Sequence, residues 1–83
     1  MPFTVYVLIS IENPERTYVG YTTNVTQRLK AHNEKKVTGY SNHYAPWELE
    51  VSIAFHEKQP ALEFERYLKS GSGQAFLKKH FLP

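Results

Sequence analysis

The segment Phe3-Thr4-Val5-Tyr6-Val7-Leu8-Ile9-Ser10 is apolar, aromatic or β-branched at nearly every position. A strand with one wet face alternates polar and apolar residues, so a run without alternation reads as a strand covered on both faces. A chain of 83 residues has room for one hydrophobic core, and one domain over residues 1–83 is the expectation.

The remaining elements follow from turn signals and periodicity. Asn13-Pro14-Glu15 marks a turn, and Thr17-Tyr18-Val19-Gly20-Tyr21-Thr22 again favours a strand, which predicts an antiparallel hairpin. Thr23 or Asn24 offers a capping oxygen, and Val25, Leu29 and His32 recur at helical spacing up to about Asn33. Residues 34–47 are polar and turn-rich, with Gly39 and Pro46, and read as a loop of more than usual length. Leu49, Val51, Ile53 and Phe55 alternate with Glu48, Glu50, Ser52 and His56, the period of a third strand. Pro60 stands at a helix start, Ala61 through Ser70 has helical spacing, and Gly71 supplies a stop. Ser72 is placed to cap a last short helix through Ala75, Phe76 and Leu77, giving an α+β chain in the order β-β-α-β-α-α.

Composition excludes several chemistries. Hydrophobic residues at 41% and charged residues at 22% are an ordinary globular balance. The absence of cysteine rules out disulfides, thiolate zinc sites and cysteine nucleophiles. All eight acids are glutamate, so aspartate-built two-metal sites and Asp triads are absent. No apolar run reaches membrane-spanning length and the N-terminus carries no signal-like block, which predicts a cytoplasmic protein with no membrane partner. The net charge of +2 is unevenly spread. Residues 66–83 hold Arg66, Lys69, Lys78 and Lys79 without an acid, and residues 28–47 hold Arg28, Lys30, Lys35 and Lys36 against Glu34 alone. Brought together, these segments form a phosphate-binding face; kept apart, they are solvated surface.

Several polar groups fall where apolar ones are expected. Ala61, Phe64 and Leu68 share one narrow helical stripe, and Glu65 lies within it whereas Glu63 points away. A carboxylate on an inward face needs a cation, a metal or a donor. Arg28 and His32, four residues apart, flank the inward stripe of the first helix. Each has a plain reading, Arg28 as an ion-pair partner of Glu65 and His32 as a satisfied core histidine. Tyr6 faces the same way as Thr4 and Leu8, and Tyr18 the same way as Gly20, whose missing side chain leaves space for a ligand near the backbone.

Thr4-Val5-Tyr6 and Tyr18-Val19-Gly20 resemble the two halves of a GIY-YIG nuclease domain. The resemblance continues through Thr22-x-Asn24-Val25-x-x-Arg28-Leu29-x-x-His32-Asn33, Pro46-Trp47 and Ala61-x-x-x-Glu65-x-x-Leu68-Lys69-Ser70-Gly71-Ser72-Gly73, which resemble the small stand-alone URI-type members. Thr4 replaces the first glycine, Tyr21 stands where some relatives have lysine, and no asparagine follows Glu65. The resemblance implies a three-stranded antiparallel sheet flanked by helices, and hydrolysis assisted by one divalent ion, Mg²⁺ or Mn²⁺, on Glu65. It implies that Tyr6 or Tyr18 positions or deprotonates the water, that Arg28 stabilises the phosphate, and that His32 assists proton transfer or orientation. A phenol with a pKa near ~10 is a poor base at neutral pH unless a cation lowers it, so Arg28 or the metal has to be close.

The functional expectation is therefore a metal-dependent endonuclease acting on DNA, reading structure rather than sequence and linked to repair or recombination. A chain this small reads shape or ends, or borrows specificity from a protein partner. The alternative is a non-catalytic nucleic-acid-binding module using Arg28, Lys35, Lys36, Lys69, Lys78 and Lys79 for phosphate contact; a third reading is a protein-interaction domain.

Overall fold

The protein is described by a computed structural model covering residues 2–36 and 39–82. Strand β1 (Phe3–Ser10) is followed by β2 (Thr17–Thr22), helices α1 (Val25–Asn33) and α2 (Tyr40–His43), strand β3 (Trp47–Phe55) and helices α3 (Lys58–Leu68) and α4 (Gly71–His80). The sheet is antiparallel with the order β2-β1-β3. The unalternating run is thus the middle strand, and Thr4 through Ser10 are all buried. On one face Val5, Val7 and Val19 pack with Ala61 and Leu68 of α3 and Leu77 of α4. On the other, Tyr6 and Leu8 pack with Trp47, flanked by Tyr18 and by Leu29 of α1. No helix among the described residues is long and apolar enough to cross a membrane.

Three details depart from the sequence pattern. The predicted loop 34–47 contains α2, a single turn, and residues 37 and 38 of that loop lie outside the described residues. The strict alternation of the third strand is broken by a bulge: Val51 pairs with Val7, but Leu49 pairs with Leu8, so Glu50 is the extra residue. Side chains directly opposite share a face. The bulge therefore turns Leu49 and Trp47 towards the Tyr6 layer while Val51 and Phe55 stay with the α3 layer. Trp47 is 2% exposed, whereas Leu49 is 36% exposed.

The third departure is at the last two helices. α3 begins at Lys58 with Pro60 inside its first turn, where no N–H has an intrahelical partner to lose. α4 is capped by Ser70 rather than Ser72: the Ser70 hydroxyl accepts from the Gly73 N–H at 3.2 Å and donates to the Tyr67 carbonyl at 2.6 Å. Gly71, expected as a stop, is the first residue of α4. Gly73 is the glycine that the geometry requires, because a Cβ there would sit 1.9 Å from the Tyr67 carbonyl oxygen and 2.5 Å from the Leu68 Cα. Gly73→Ala gains about 1 kcal/mol of helix propensity but forces two backbones apart. A net loss of about 1–3 kcal/mol is expected in chemical denaturation, and an unchanged midpoint would show that the helix pair opens without cost.

Candidate active site

α1 starts where Asn24 accepts from the Gln27 N–H at 3.0 Å, and its inward side carries Arg28, Leu29 and His32 onto the Tyr6 face of the sheet. His32 is fully buried. Its Nε2 lies 2.9 Å from the Tyr6 hydroxyl and its Nδ1 is hydrogen-bonded with the Ser41 hydroxyl. Ser41 is buried in α2, and its carbonyl accepts from the Trp47 indole at 2.8 Å. β1, α1 and α2 are thereby joined through one imidazole. His32 is indeed a satisfied core histidine, but the group that satisfies it on one side is a site tyrosine.

Tyr6 and Tyr18 lie side by side with ring centroids 6.2 Å apart, and Tyr18 meets the His32 ring edge at 4.6 Å. The space over Gly20 holds the Tyr6 phenol and not a ligand: a Cβ on Gly20 would fall 2.4 Å from the Tyr6 oxygen. Gly20 is opposite Tyr6 in the register, so its bare backbone lets the ring lie across β2 towards the sheet edge. The two phenols differ in access. Tyr6 is 1% exposed, whereas Tyr18 is half-buried and lines an open cleft.

The guanidinium of Arg28 stands beside both phenols. Its Nε is buried without a hydrogen-bond partner, an unsatisfied donor of the kind folded proteins rarely keep. A hollow of about 300 Å³ opens beside Arg28 between Thr22, Asn24 and Ala31. Burial raises the Tyr6 pKa above its ordinary value of 10.0; Arg28 opposes this, while Tyr18 and the Glu65 carboxylate add to it. His32 is pushed the other way, to about 4, by burial and then by the Arg28 charge. At neutral pH the pair is therefore a neutral phenol against a neutral imidazole.

Glu65 comes from α3, on the opposite face of the sheet, yet its charge reaches Tyr6. Its ion-pair partner is Lys69 at 2.9 Å and not Arg28. Lys69 in turn lines the cleft along the free edge of β2, about 490 Å³ in volume, together with Arg16, Tyr18, Tyr40, Gln74 and Lys78. Residues of β2, α2 and α4 thus meet around the outer edge of β2, with Lys69 just past the end of α3. Among the described residues no three His, Asp or Glu side chains gather into a metal cage. A lone carboxylate with water in the other positions nevertheless suits a small hard cation, so Glu65 fits such an ion once Lys69 yields its oxygen.

The basic residues divide. Lys69 and Lys78 line the β2-edge cleft. Lys35 follows the end of α1 with φ 59°, and Lys36 pairs with Glu34 at 3.1 Å and borders a separate hollow beside Gln27 and Lys30. Lys79 is exposed on α4. Ser41, Arg16 and Tyr40 were missed from the sequence. Ser41 and Tyr40 sit in a turn-rich stretch with no periodic pattern to flag them, and Arg16 looks like any turn cation until the edge of β2 is known to face α4.

The GIY-YIG catalytic domain family model matches residues 2–79. A UPF0213 protein of Streptococcus agalactiae is 39% identical over 66 residues, covering 76% of this chain and 75% of the relative. The structure-specific endonuclease subunit SLX1 homolog of Giardia intestinalis is 37% identical over 68 residues, again 76% of this chain, but the match spans only 19% of that much longer protein. The solution structure of a UPF0213 protein from Bacillus halodurans superimposes with a TM-score of 0.56 at 31% identity, covering 95% of this chain and 84% of the other.

Proposed function

The chain belongs to the GIY-YIG catalytic domain family, and from that premise we propose that it is a divalent-metal-dependent nuclease hydrolysing phosphodiester bonds in DNA. The observation that carries the reading is the half-buried Arg28 guanidinium, which stands beside both phenols and lines an open hollow. A non-bridging phosphate oxygen entering that hollow meets the guanidinium, which offsets the charge that grows there in the transition state.

The roles divide by access and acidity. Tyr18, half-buried in the cleft, is the phenol that meets water and positions it for attack. Tyr6 is too deeply buried for that, and is instead the fixed wall against which Tyr18 and Arg28 are set. An imidazole with a pKa of about 4 is a weak acceptor for the proton of a phenol whose pKa is raised. His32 accordingly orients Tyr6 rather than shuttling its proton. Glu65 would hold Mg²⁺ or Mn²⁺, and the bound ion would polarise the phosphate and ease departure of the leaving oxygen. Lys69, Lys78 and Lys79 on one side and Lys35 and Lys36 on the other meet flanking phosphates. The named relative is a subunit of a structure-specific endonuclease, and substrate shape, with a protein partner to sharpen it, is the matching source of specificity here. A cytoplasmic setting in DNA repair or recombination belongs to the same proposal.

The 2.9 Å contact of Lys69 with Glu65 favours a second reading. An ammonium already neutralises the carboxylate, as it would in a module that binds nucleic acid without cutting it. Single-stranded, duplex and branched DNA and RNA, incubated with the protein and Mg²⁺ or Mn²⁺, separate the two. Cleavage that stops on chelation and returns with added ion supports the nuclease. Salt-sensitive binding without a cut in any substrate supports the module.

A further inference from the structure

The cleft at the free edge of β2 has a chemistry of its own. Its volume of about 490 Å³ lies within the ~300–1,000 Å³ range of small-ligand pockets. Arg16, Lys69 and Lys78 line it against the single acid Glu15. Tyr40 also lines it and is 43% exposed. That ring is not loose: it rests on Tyr44 at 5.0 Å and Trp47 at 6.1 Å, and Trp47 is anchored by its indole bond to Ser41. One π-face is thus held ready beside three cations, in the cleft that Tyr18 also lines.

We propose that this cleft seats an unpaired nucleotide next to the scissile phosphate, its base stacked on Tyr40 and its phosphates on Arg16 and Lys78. In a duplex both faces of each base are covered by neighbours, so an aromatic platform gains nothing there; an unpaired base offers its face whatever its identity. The cations hold the backbone without reading sequence. The selected substrate is therefore a single strand or the unpaired arm of a branched structure. This rests on the proposed function in taking nucleic acid as the ligand, but binding and cutting are measured apart.

Fluorescence anisotropy in chelator, where nothing is cut, with a labelled short oligothymidine and a hairpin duplex of the same length, tests it. The wild type is expected to bind the single strand more tightly than the duplex. Tyr40→Ala should weaken single-strand binding by ~5- to 100-fold, the loss of one stacked base, with duplex binding unchanged. Tyr40→Leu, which keeps an apolar contact with Tyr44 and Trp47 but has no π-face, should lose as much, and Tyr40→Trp should retain affinity. Arg16→Ala and Lys78→Ala should each lower the salt slope by ~0.7, the share of one phosphate contact on a single strand. Equal affinity of wild type and Tyr40→Leu for the single strand, or tighter binding of the duplex, overturns the proposal. A protein that binds as described and cuts no substrate defeats the nuclease reading alone; one that cuts, with single-strand affinity indifferent to Tyr40, defeats this inference alone.

Discussion

Glu65→Ala is expected to lower phosphodiester cleavage by ~10²–10³-fold, the usual consequence of removing one group that holds or stabilises transition-state charge, with the fold preserved. The stability side of the expectation comes from its surroundings. Glu65 has a side chain 22% exposed, and its one ion pair is with Lys69, four residues on in the same helix and itself 53% exposed. Pairs of this kind contribute ~0.3–0.5 kcal/mol, so the variant should melt within a few degrees of the wild type. Glu63, exposed and bonded to Gln59 at 3.4 Å on the far side of α3, is the internal control: Glu63→Ala should cut at the wild-type rate. Initial rates at saturating Mg²⁺, with circular dichroism to check folding, decide the matter. Cleavage by Glu65→Ala at the wild-type rate would remove the carboxylate from the reaction and with it the proposed metal site.

What the sequence disclosed of this arrangement was mostly what local periodicity can carry. The unalternating run Phe3–Ser10 identified a strand covered on both faces, because burial of alternate residues on two sides writes itself directly into composition. Helical projection separated Glu65 from Glu63 and put Arg28 and His32 on one side of α1, since helix faces are fixed by a period of 3.6 residues. The features that escaped are set by distant partners. The bulge at Glu50 is a property of the pairing between β1 and β3, and alternation inside β3 predicts its opposite. Gly20 has the same sequence signature whether its space admits a ligand or a neighbour's ring, and only the register that sets Tyr6 opposite it decides. Ser72 reads from the sequence as the cap of the last helix; the close approach of Gly73 to the end of α3 goes with Ser70 as the cap instead. Likewise, the basic blocks told nothing of which lysines share a cleft with Tyr18, because that depends on how α4 lies along the free edge of β2.

The His32 network gives the second large effect, and it appears in stability rather than turnover. His32 is fully buried, with Tyr6 on Nε2 and Ser41 on Nδ1, and its pKa is about 4 against 6.5 for an ordinary histidine. Between these values the unfolded chain binds a proton that the folded protein refuses, so stability rises with pH across the window. The contribution is complete above pH 6.5, shrinks as the pH falls, and is gone below about 4, where both states are protonated. A difference of this size corresponds to ~3 kcal/mol, a large share of the 5–15 kcal/mol typical of a folded domain. The measurement is a comparison: urea unfolding from pH 7 to 4 for the wild type and His32→Gln. The variant is weaker throughout, having lost a shaped partner for Tyr6 and Ser41, but its stability should fall by ~3 kcal/mol less over the same range. Parallel curves would show that His32 takes up its proton as readily in the folded protein as in the unfolded chain. Nuclear magnetic resonance of the imidazole gives the same answer without substitution: a ring clamped between two hydroxyls and facing Arg28 should stay neutral down to about pH 5, and one that titrates near 6.5 lacks the burial on which the Tyr6 site is built.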